Sequence, residues 1–127
     1  MFGFEIGVVC LALNIYFESR GEPDKAQMAV ALVTVNRAKR QKKTLCEIVF
    51  EPNQFTWTEE VIHKEPREDN IAWRKALRIA QKALTAKDFT GGCLWFHRYD
   101  VSPKWKHNLE YHGRYGQHLF YRRKQNY

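Results

Sequence analysis

The chain has 127 residues, of which 44% are hydrophobic and 14% aromatic, and its 21 basic and 14 acidic side chains give a net charge of +7. This length is typical of one domain, and the hydrophobic content excludes a disordered chain. A basic surface attracts polyanions such as nucleic acid, anionic membranes or acidic wall polymers, and it also favours solubility.

The first predicted element is a helix over about residues 4–19. Its apolar residues recur at steps of three and four and predict a single stripe of Ile6, Val9, Cys10, Leu13 and Phe17. Gly21 and Pro23 then end the helix.

A second helix is predicted to run from Asp24 to about Arg40. Asp24 with Gln27 is its expected capping pair. Its centre, residues 28–33, is apolar on all sides, which indicates deep burial.

The middle of the chain is more varied. Residues 45–50 form a short apolar helix or strand, and residues 58–69 are polar and predict a surface loop. A third helix begins at Asp69 or Asn70, either of which can cap it. Its predicted inner face consists of Trp73, Ala76, Leu77, Ala80, Ala83 and Leu84.

The character of the sequence changes after Gly91 and Gly92. Residues 93–99 and 118–122 are rich in aromatic residues and predict two strands. Helices followed by a small sheet indicate an α+β fold, and we expect residues 1–127 to form one domain.

The three cysteines, Cys10, Cys46 and Cys93, are widely spaced and form no CxxC motif. Each lies in an apolar stretch, which predicts reduced core thiols made in a reducing compartment. The apolar run at residues 6–13 is too short for a membrane span and lacks the charged start of a signal peptide.

Glu18 is the main catalytic candidate because it lies where the first helix ends. Burial against an apolar helix face raises a carboxyl pKa, and a protonated carboxylic acid can act as a general acid. A salt bridge with Arg20 is the structural alternative. On an unbroken helix Glu22 would share the face of Glu18. A pair of carboxylates is the usual apparatus of glycoside hydrolysis. Gly21 argues against that continuity, and the alternative role for Glu22 is to cap or orient the loop.

A second candidate cluster is Gln54, Phe55, Thr56 and Trp57. The Trp57 ring can stack on a sugar, while Gln54 and Thr56 can hydrogen-bond hydroxyl or amide groups. A loop that lines the core is the alternative, since Phe55 is expected to pack inside.

Histidines are concentrated in the C-terminal third, at positions 97, 107, 112 and 118. They form no HExxH motif, so we expect hydrogen-bonding roles near a cleft rather than a metal site. Cys93 in its apolar strand is expected to be an inert thiol.

Collinear motifs over nearly the whole chain resemble the SleB/CwlJ-like cell wall hydrolases. They are NIYFESRGEP at 14–23, QMAVA at 27–31, VNR at 35–37, CEIVF at 46–50, QFTW at 54–57, GG at 91–92, WFH at 95–97, VSPKW at 101–105 and GQHLFY at 116–121. Matches in the same order throughout are far more specific than any single motif.

The resemblance implies a lysozyme-like helical core and cleavage of peptidoglycan between N-acetylmuramic acid and N-acetylglucosamine, with no cofactor. It makes Glu18 the catalytic acid, with Ser19 where the family usually has alanine. It places Gln54, Phe55 and Trp57 in the cleft, with Thr56 in the place of a serine. Glu22, His97 and Tyr99 are further expected substrate contacts.

The implied mechanism is that of a lytic transglycosylase, in which one glutamate is first acid and then base and a 1,6-anhydro product forms. The alternatives are a muramidase that uses water, an inactive wall-binding descendant and, in another class, a basic nucleic-acid-binding domain. We expect a monomer without nucleic-acid partners or stable membrane insertion. We also expect it to be made in the cytoplasm without a signal peptide and released to the wall as phage endolysins are.

Overall fold

The computed structural model describes residues 4–52, 54–55, 57–58 and 65–125. Within this part of the chain the helices come first: α1 (Ile6–Ser19), α2 (Asp24–Gln41), α3 (Leu45–Val49) and α4 (Ile71–Ala83). They are followed by β1 (Trp95–Arg98), a 3-10 helix (Lys104–Asn108), β2 (Glu110–Tyr115) and β3 (His118–Arg122). The strands form an antiparallel sheet in the order β1-β3-β2, so the predicted α+β class is confirmed.

Helix α1 is buried around most of its circumference, so the single apolar stripe was too narrow a prediction. Cys10 and Leu13 of the predicted stripe are buried, but Ile6 is 73% exposed. Leu11 and Ile15, outside the stripe, are completely buried. The reason is that α2, α3 and α4 all pack against α1.

Helix α2 has the predicted buried centre over residues 29–33, which are all buried, whereas Met28 is only partly buried. The predicted capping pair is wrong: Pro23 is the N-cap, and no side chain caps the helix. Gln27 instead donates a hydrogen bond from Nε2 to the carbonyl oxygen of Glu22, at 3.0 Å. This bond ties the start of α2 to the turn that precedes it.

The start of α4 follows the prediction, because the Asn70 side chain accepts a hydrogen bond from the Trp73 backbone N–H at 3.0 Å. The prediction of Leu84 on its inner face is wrong, since Leu84 follows the last helical residue and is 38% exposed. The ambiguous segment at 45–50 is helical, and Thr44 and Glu47 form its capping box.

Strand β2 was not predicted. None of its residues is fully buried, and the register with β3 shifts between Tyr111 and Gly113. It therefore lacks the regular apolar alternation by which a strand is recognised in a sequence.

Two apolar clusters form the core. One joins α1, α2 and α4 through residues such as Leu11, Ile15 and Leu77. The other packs α2 against the sheet through Val30 and Phe120. Helix α2 contributes to both clusters, so it fixes the sheet relative to the other helices. In the described ranges, no helix has the length and apolar character needed to cross a bilayer.

The structure corrects the prediction of three free thiols. Cys10 of α1 and Cys46 of α3 form a disulfide, with a Cα–Cα distance of 5.2 Å. The two residues are 36 positions apart, and only the packing of α3 on α1 brings them together. Cys93 is a free buried thiol, as predicted, and burial raises its pKa to about 11.

Replacement of both Cys10 and Cys46 by Ser should lower the free energy of unfolding by about 2–4 kcal/mol, because the crosslink restricts the unfolded chain. Urea denaturation measures the difference. Reductant should destabilise the wild type and leave the double variant unchanged. Equal wild-type unfolding curves with and without reductant would contradict the prediction.

Candidate active site

A groove of about 530 Å³ lies along the seam between the helices and the sheet. Its described lining includes Glu18 of α1, Arg37 of α2 and Phe96 of β1. Aromatic side chains contribute much of the surface: Phe55, Trp95, Phe96 and Trp105. Among the described lining residues Glu18 is the only carboxylate. The groove therefore has the composition of a site for a flat, partly apolar ligand with one acidic group against it.

Glu18 occupies the last turn of α1, where the chain leaves the helix. Arg20 has extended ψ, and Gly21 has φ +84°, a left-handed conformation that glycine adopts without strain. Arg20 does not pair with Glu18, and its guanidinium lies 4.6 Å from the centroid of the Tyr16 ring. The carboxylate of Glu18 thus faces the groove and has no cationic partner among the residues that the structure describes.

The environment of Glu18 favours its protonated form. Burial raises its pKa, the hydrogen bond from Trp57 lowers it, and the negative charge of Glu22 raises it again, so that the pKa is raised overall. The hydrogen bond joins Trp57 Nε1 to Glu18 Oε1 at 3.1 Å. A carboxylic acid with a raised pKa can deliver a proton near neutral pH.

A series of stacked rings holds Trp57 in place. Phe17 stacks on Trp57 with ring centroids 5.1 Å apart, Trp57 stacks on Phe55 at 5.8 Å, and Phe55 stacks on Phe96 at 6.3 Å. The rings join α1 to β1 through the segment between α3 and α4. Trp57 therefore orients Glu18 from the side rather than lining the groove.

Arg37 and Gln54 form a second polar contact in the groove. Arg37 Nη2 donates to Gln54 Oε1 at 3.2 Å, which leaves the amide group of Gln54 as a donor. Arg37 also lies 3.6 Å from Glu51, and burial lowers the pKa of its guanidinium. Thr56, predicted beside Gln54, lies outside the described residues.

Glu22 serves a different purpose from Glu18. Its Oε1 accepts hydrogen bonds from the Gln117 backbone N–H at 2.8 Å and from His118 Nδ1 at 3.3 Å. Its side chain is 8% exposed and does not line the groove. Gly116 has φ +57°, and a Cβ there would collide with the Glu22 carboxylate. Glu22 therefore joins the α1–α2 turn to the β2–β3 turn, as the loop-orienting alternative suggested.

Two histidines line the groove in fixed orientations. His97 Nδ1 donates to the Arg98 carbonyl at 2.6 Å, and its Nε2 accepts from the Tyr121 hydroxyl at 2.9 Å. Burial lowers the pKa of His118, so its ring is neutral near neutral pH. With Nδ1 donating to Glu22, its buried Nε2 is an acceptor that has no partner in the described part of the chain.

The structure thus brings four of the predicted site residues into the groove lining: Glu18, Gln54, Phe55 and His97. Trp57 touches Glu18 from outside the lining. Tyr99 is 51% exposed, lies near Arg98 and Arg114, and does not line the groove. A substrate contact for Tyr99 stays a prediction.

Arg37, Trp95 and Trp105 line the groove and were not predicted there, whereas His118, one of the histidines expected near a cleft, does line it. Trp95 and Trp105 lie in the motifs at 95–97 and 101–105, so the aromatic content of those motifs was a usable signal. The described residues contain no group of three or more side chains suited to hold a metal ion.

The chain matches the family model described as Cell Wall Hydrolase over residues 21–121, a range that begins just after Glu18. It is 32% identical to a spore cortex-lytic enzyme of Bacillus cereus, over 87% of this chain and 42% of that protein. It is 31% identical to a spore cortex-lytic enzyme of Halalkalibacterium halodurans, over 87% of this chain and 33% of that protein. The chain therefore spans less than half the length of either relative.

The structure is similar to the catalytic domain of the germination-specific lytic transglycosylase SleB from Bacillus anthracis. The TM-score is 0.77 at 29% identity, and the match covers 96% of this chain and 99% of that domain. This match confirms the predicted lysozyme-like helical core with its small sheet.

Glu18→Gln should raise the free energy of unfolding at neutral pH. The pKa of Glu18 is higher in the folded than in the unfolded state, so this group favours folding most at acidic pH and loses that contribution as pH rises through its folded pKa. Glutamine does not ionise and avoids this loss. The gain, measured by urea denaturation across pH, should vanish under acidic conditions; a gain that persists there contradicts the prediction.

Glu22→Gln is the matched contrast, because Glu22 accepts two hydrogen bonds from the sheet. Replacing a charged acceptor by a neutral one should lower stability by about 1 kcal/mol at neutral pH. If both glutamine substitutions change the free energy of unfolding equally, then burial of the carboxylates, and not their different partners, sets their contributions to stability.

Trp57→Phe should raise the pKa of Glu18 further, because it removes a hydrogen bond that lowers that pKa while keeping an aromatic ring for stacking. Titration of the labelled Glu18 carboxyl by carbon NMR measures the shift. Trp105→Phe changes an indole that lines the groove and makes no such bond, and it should leave the Glu18 titration unchanged. A lowered pKa in the Trp57 variant would contradict the assignment.

Proposed function

The chain belongs to the cell wall hydrolase family, and from this premise we propose that it cleaves peptidoglycan glycan strands as a lytic transglycosylase, with Glu18 as the acid and the base. One observation carries the proposal: the only carboxylate among the described groove-lining residues is half-buried and has a raised pKa. The structurally similar SleB catalytic domain belongs to a lytic transglycosylase, which supports the same reaction class.

In the first step, protonated Glu18 donates its proton to the oxygen that links N-acetylmuramic acid to N-acetylglucosamine. The bond between that oxygen and C1 of the muramic residue breaks, and positive charge develops at C1. Proton donation by a positioned acid accelerates such a step by about 10²–10⁴-fold. The raised pKa of Glu18 favours the protonated form that this step requires.

In the second step, the Glu18 carboxylate removes the proton from the C6 hydroxyl of the same muramic residue. The C6 oxygen then bonds to C1 and closes the 1,6-anhydro ring. The proton taken from the hydroxyl restores the acid form of Glu18, and no water is consumed. This sequence requires only one carboxylate. The position of Glu22, buried against His118 and away from the groove lining, favours it over a hydrolysis that uses two.

Other groove residues orient the sugars in this proposal. The amide group of Gln54 donates to an acetamido or hydroxyl oxygen, since its carbonyl is already held by Arg37. The exposed part of Trp105 offers a ring for stacking on a sugar face. Both ring nitrogens of His97 are engaged, so His97 shapes the groove rather than hydrogen-bonding substrate.

We further propose that the protein is made in the cytoplasm, is released in a phage-like lysis and then acts on the wall as a monomer. The Cys10–Cys46 disulfide supports action outside the cytoplasm, because such crosslinks persist in oxidising surroundings. The charge of +7 supports retention on an anionic wall.

Glu18→Gln should abolish the release of muropeptides from purified peptidoglycan, a loss of at least about 10²-fold, because the amide cannot donate the proton. Mass spectrometry of the wild-type products should give 1,6-anhydro ends, each one water lighter than a reducing end. Glu5→Gln, at an exposed carboxylate just before the same helix, is the control and should keep full activity.

The outcomes separate the alternatives. Full activity of the Glu18 variant would refute its role. Reducing ends among the wild-type products would establish a hydrolase. Binding to peptidoglycan without any release of muropeptides would identify a wall-binding protein.

A further inference from the structure

A second pocket, of about 240 Å³, adjoins the groove and is basic. Its described lining contains Arg37, Arg40 and Arg123 with Gln41, and no carboxylate. Leu94, Trp95 and Arg37 line both the pocket and the groove, so the two share a wall. We call this second site the arginine pocket.

The arginine pocket has an excess of positive charge. Arg37 lies 3.6 Å from Glu51, but Glu51 also binds Lys43 at 3.2 Å. Arg40 and Arg123 have no ion-pair partner in the described part of the chain. Three guanidinium groups around one pocket favour an anionic oxygen group, which arginine binds through its planar set of donors.

The size of the pocket indicates what kind of ligand it takes. Its volume is below the range of about 300–1,000 Å³ typical of pockets that hold a complete small ligand. It therefore suits a charged branch of a ligand whose main body lies elsewhere. The adjoining groove is where the proposed function places the glycan strand.

We propose that the arginine pocket binds a carboxylate of the peptidoglycan stem peptide, the acidic peptide attached to the muramic residues of the strand. The inference rests on the proposed function. It further implies that the protein prefers strands that carry stem peptides over bare strands. A stem carboxylate is favoured over a phosphate of another wall polymer because the stem is covalently part of the strand in the groove. Since the pocket and the groove share a wall, a stem on that strand lies within reach of the pocket.

The binding test uses a soluble probe and does not depend on catalysis. N-acetylmuramyl-L-alanyl-D-glutamate is titrated into the protein and followed by NMR, beside the same compound with both carboxyl groups amidated. The wild type should bind the carboxylate form about three- to tenfold more tightly, within the range expected of two exposed charge pairs acting together. Replacing Arg40 and Arg123 together by Gln should remove that preference.

The activity test compares peptidoglycan stripped of other wall polymers with the same strands after an amidase has removed the stems. The variant with Arg40→Gln and Arg123→Gln should lose about three- to tenfold in kcat/KM on peptide-bearing strands and nothing on bare strands. The control is Arg74→Gln with Arg78→Gln, an equal loss of charge on exposed positions of α4. This control variant should have the same effect on kcat/KM for peptide-bearing and for bare strands.

The outcomes distinguish failure of this subsite from failure of the proposed function. Equal binding of the two probes by the wild type overturns the subsite, whether or not the protein cleaves peptidoglycan. A loss that appears only when phosphate-bearing wall polymers are left attached assigns the pocket to phosphate and also overturns it. A carboxylate preference in a protein that releases no muropeptides supports the subsite and refutes only the catalytic proposal.

Discussion

The removal of water from the Glu18 carboxylate is the constraint on which the rest of the site depends. The side chain lies at the end of a helix whose other residues are mostly buried, and rings of neighbouring segments pack beside it. Burial alone would leave the group free to turn away from the groove. The single hydrogen bond from Trp57 fixes its orientation and offsets part of the rise in its pKa.

This arrangement has a cost in stability that the fold offsets elsewhere. A carboxylate with a raised pKa disfavours the folded state at neutral pH. The helical cluster around Leu11 and Ile15 and the Cys10–Cys46 disulfide contribute stability away from the groove. Functional sites often contain such locally unfavourable groups, held by a scaffold that is stable on its own.

Two glutamates four positions apart have opposite roles because the chain turns between them. Gly21, with its positive φ, ends the helical path, so Glu18 and Glu22 do not share a helix face. Glu18 faces the groove, and Glu22 holds the β2–β3 turn through Gln117 and His118. The second carboxylate thus fixes the sheet that forms the other side of the groove, and it contributes to the Glu18 pKa only through its charge.

The sequence by itself determined that helices precede the sheet, the α+β class, the family and the presence of a glutamate at the end of the first helix. Those features depend on local periodicity, on helix-ending residues such as Gly21, and on motifs that are contiguous in the chain. It could not reveal β2, because a half-exposed strand with an irregular register has no regular alternation of apolar residues.

Only the tertiary structure decided which residues meet. The Cys10–Cys46 disulfide, the bond from Trp57 to Glu18 and the contact of Glu22 with the sheet join residues separated by 36 to 96 positions. The same holds for Arg123, which lies far from Arg37 and Arg40 in the sequence and lines one pocket with them in the fold. Local conformational preferences do not encode contacts between residues so far apart in the chain. These contacts are set by how α1, α2 and the sheet pack into two clusters that share α2.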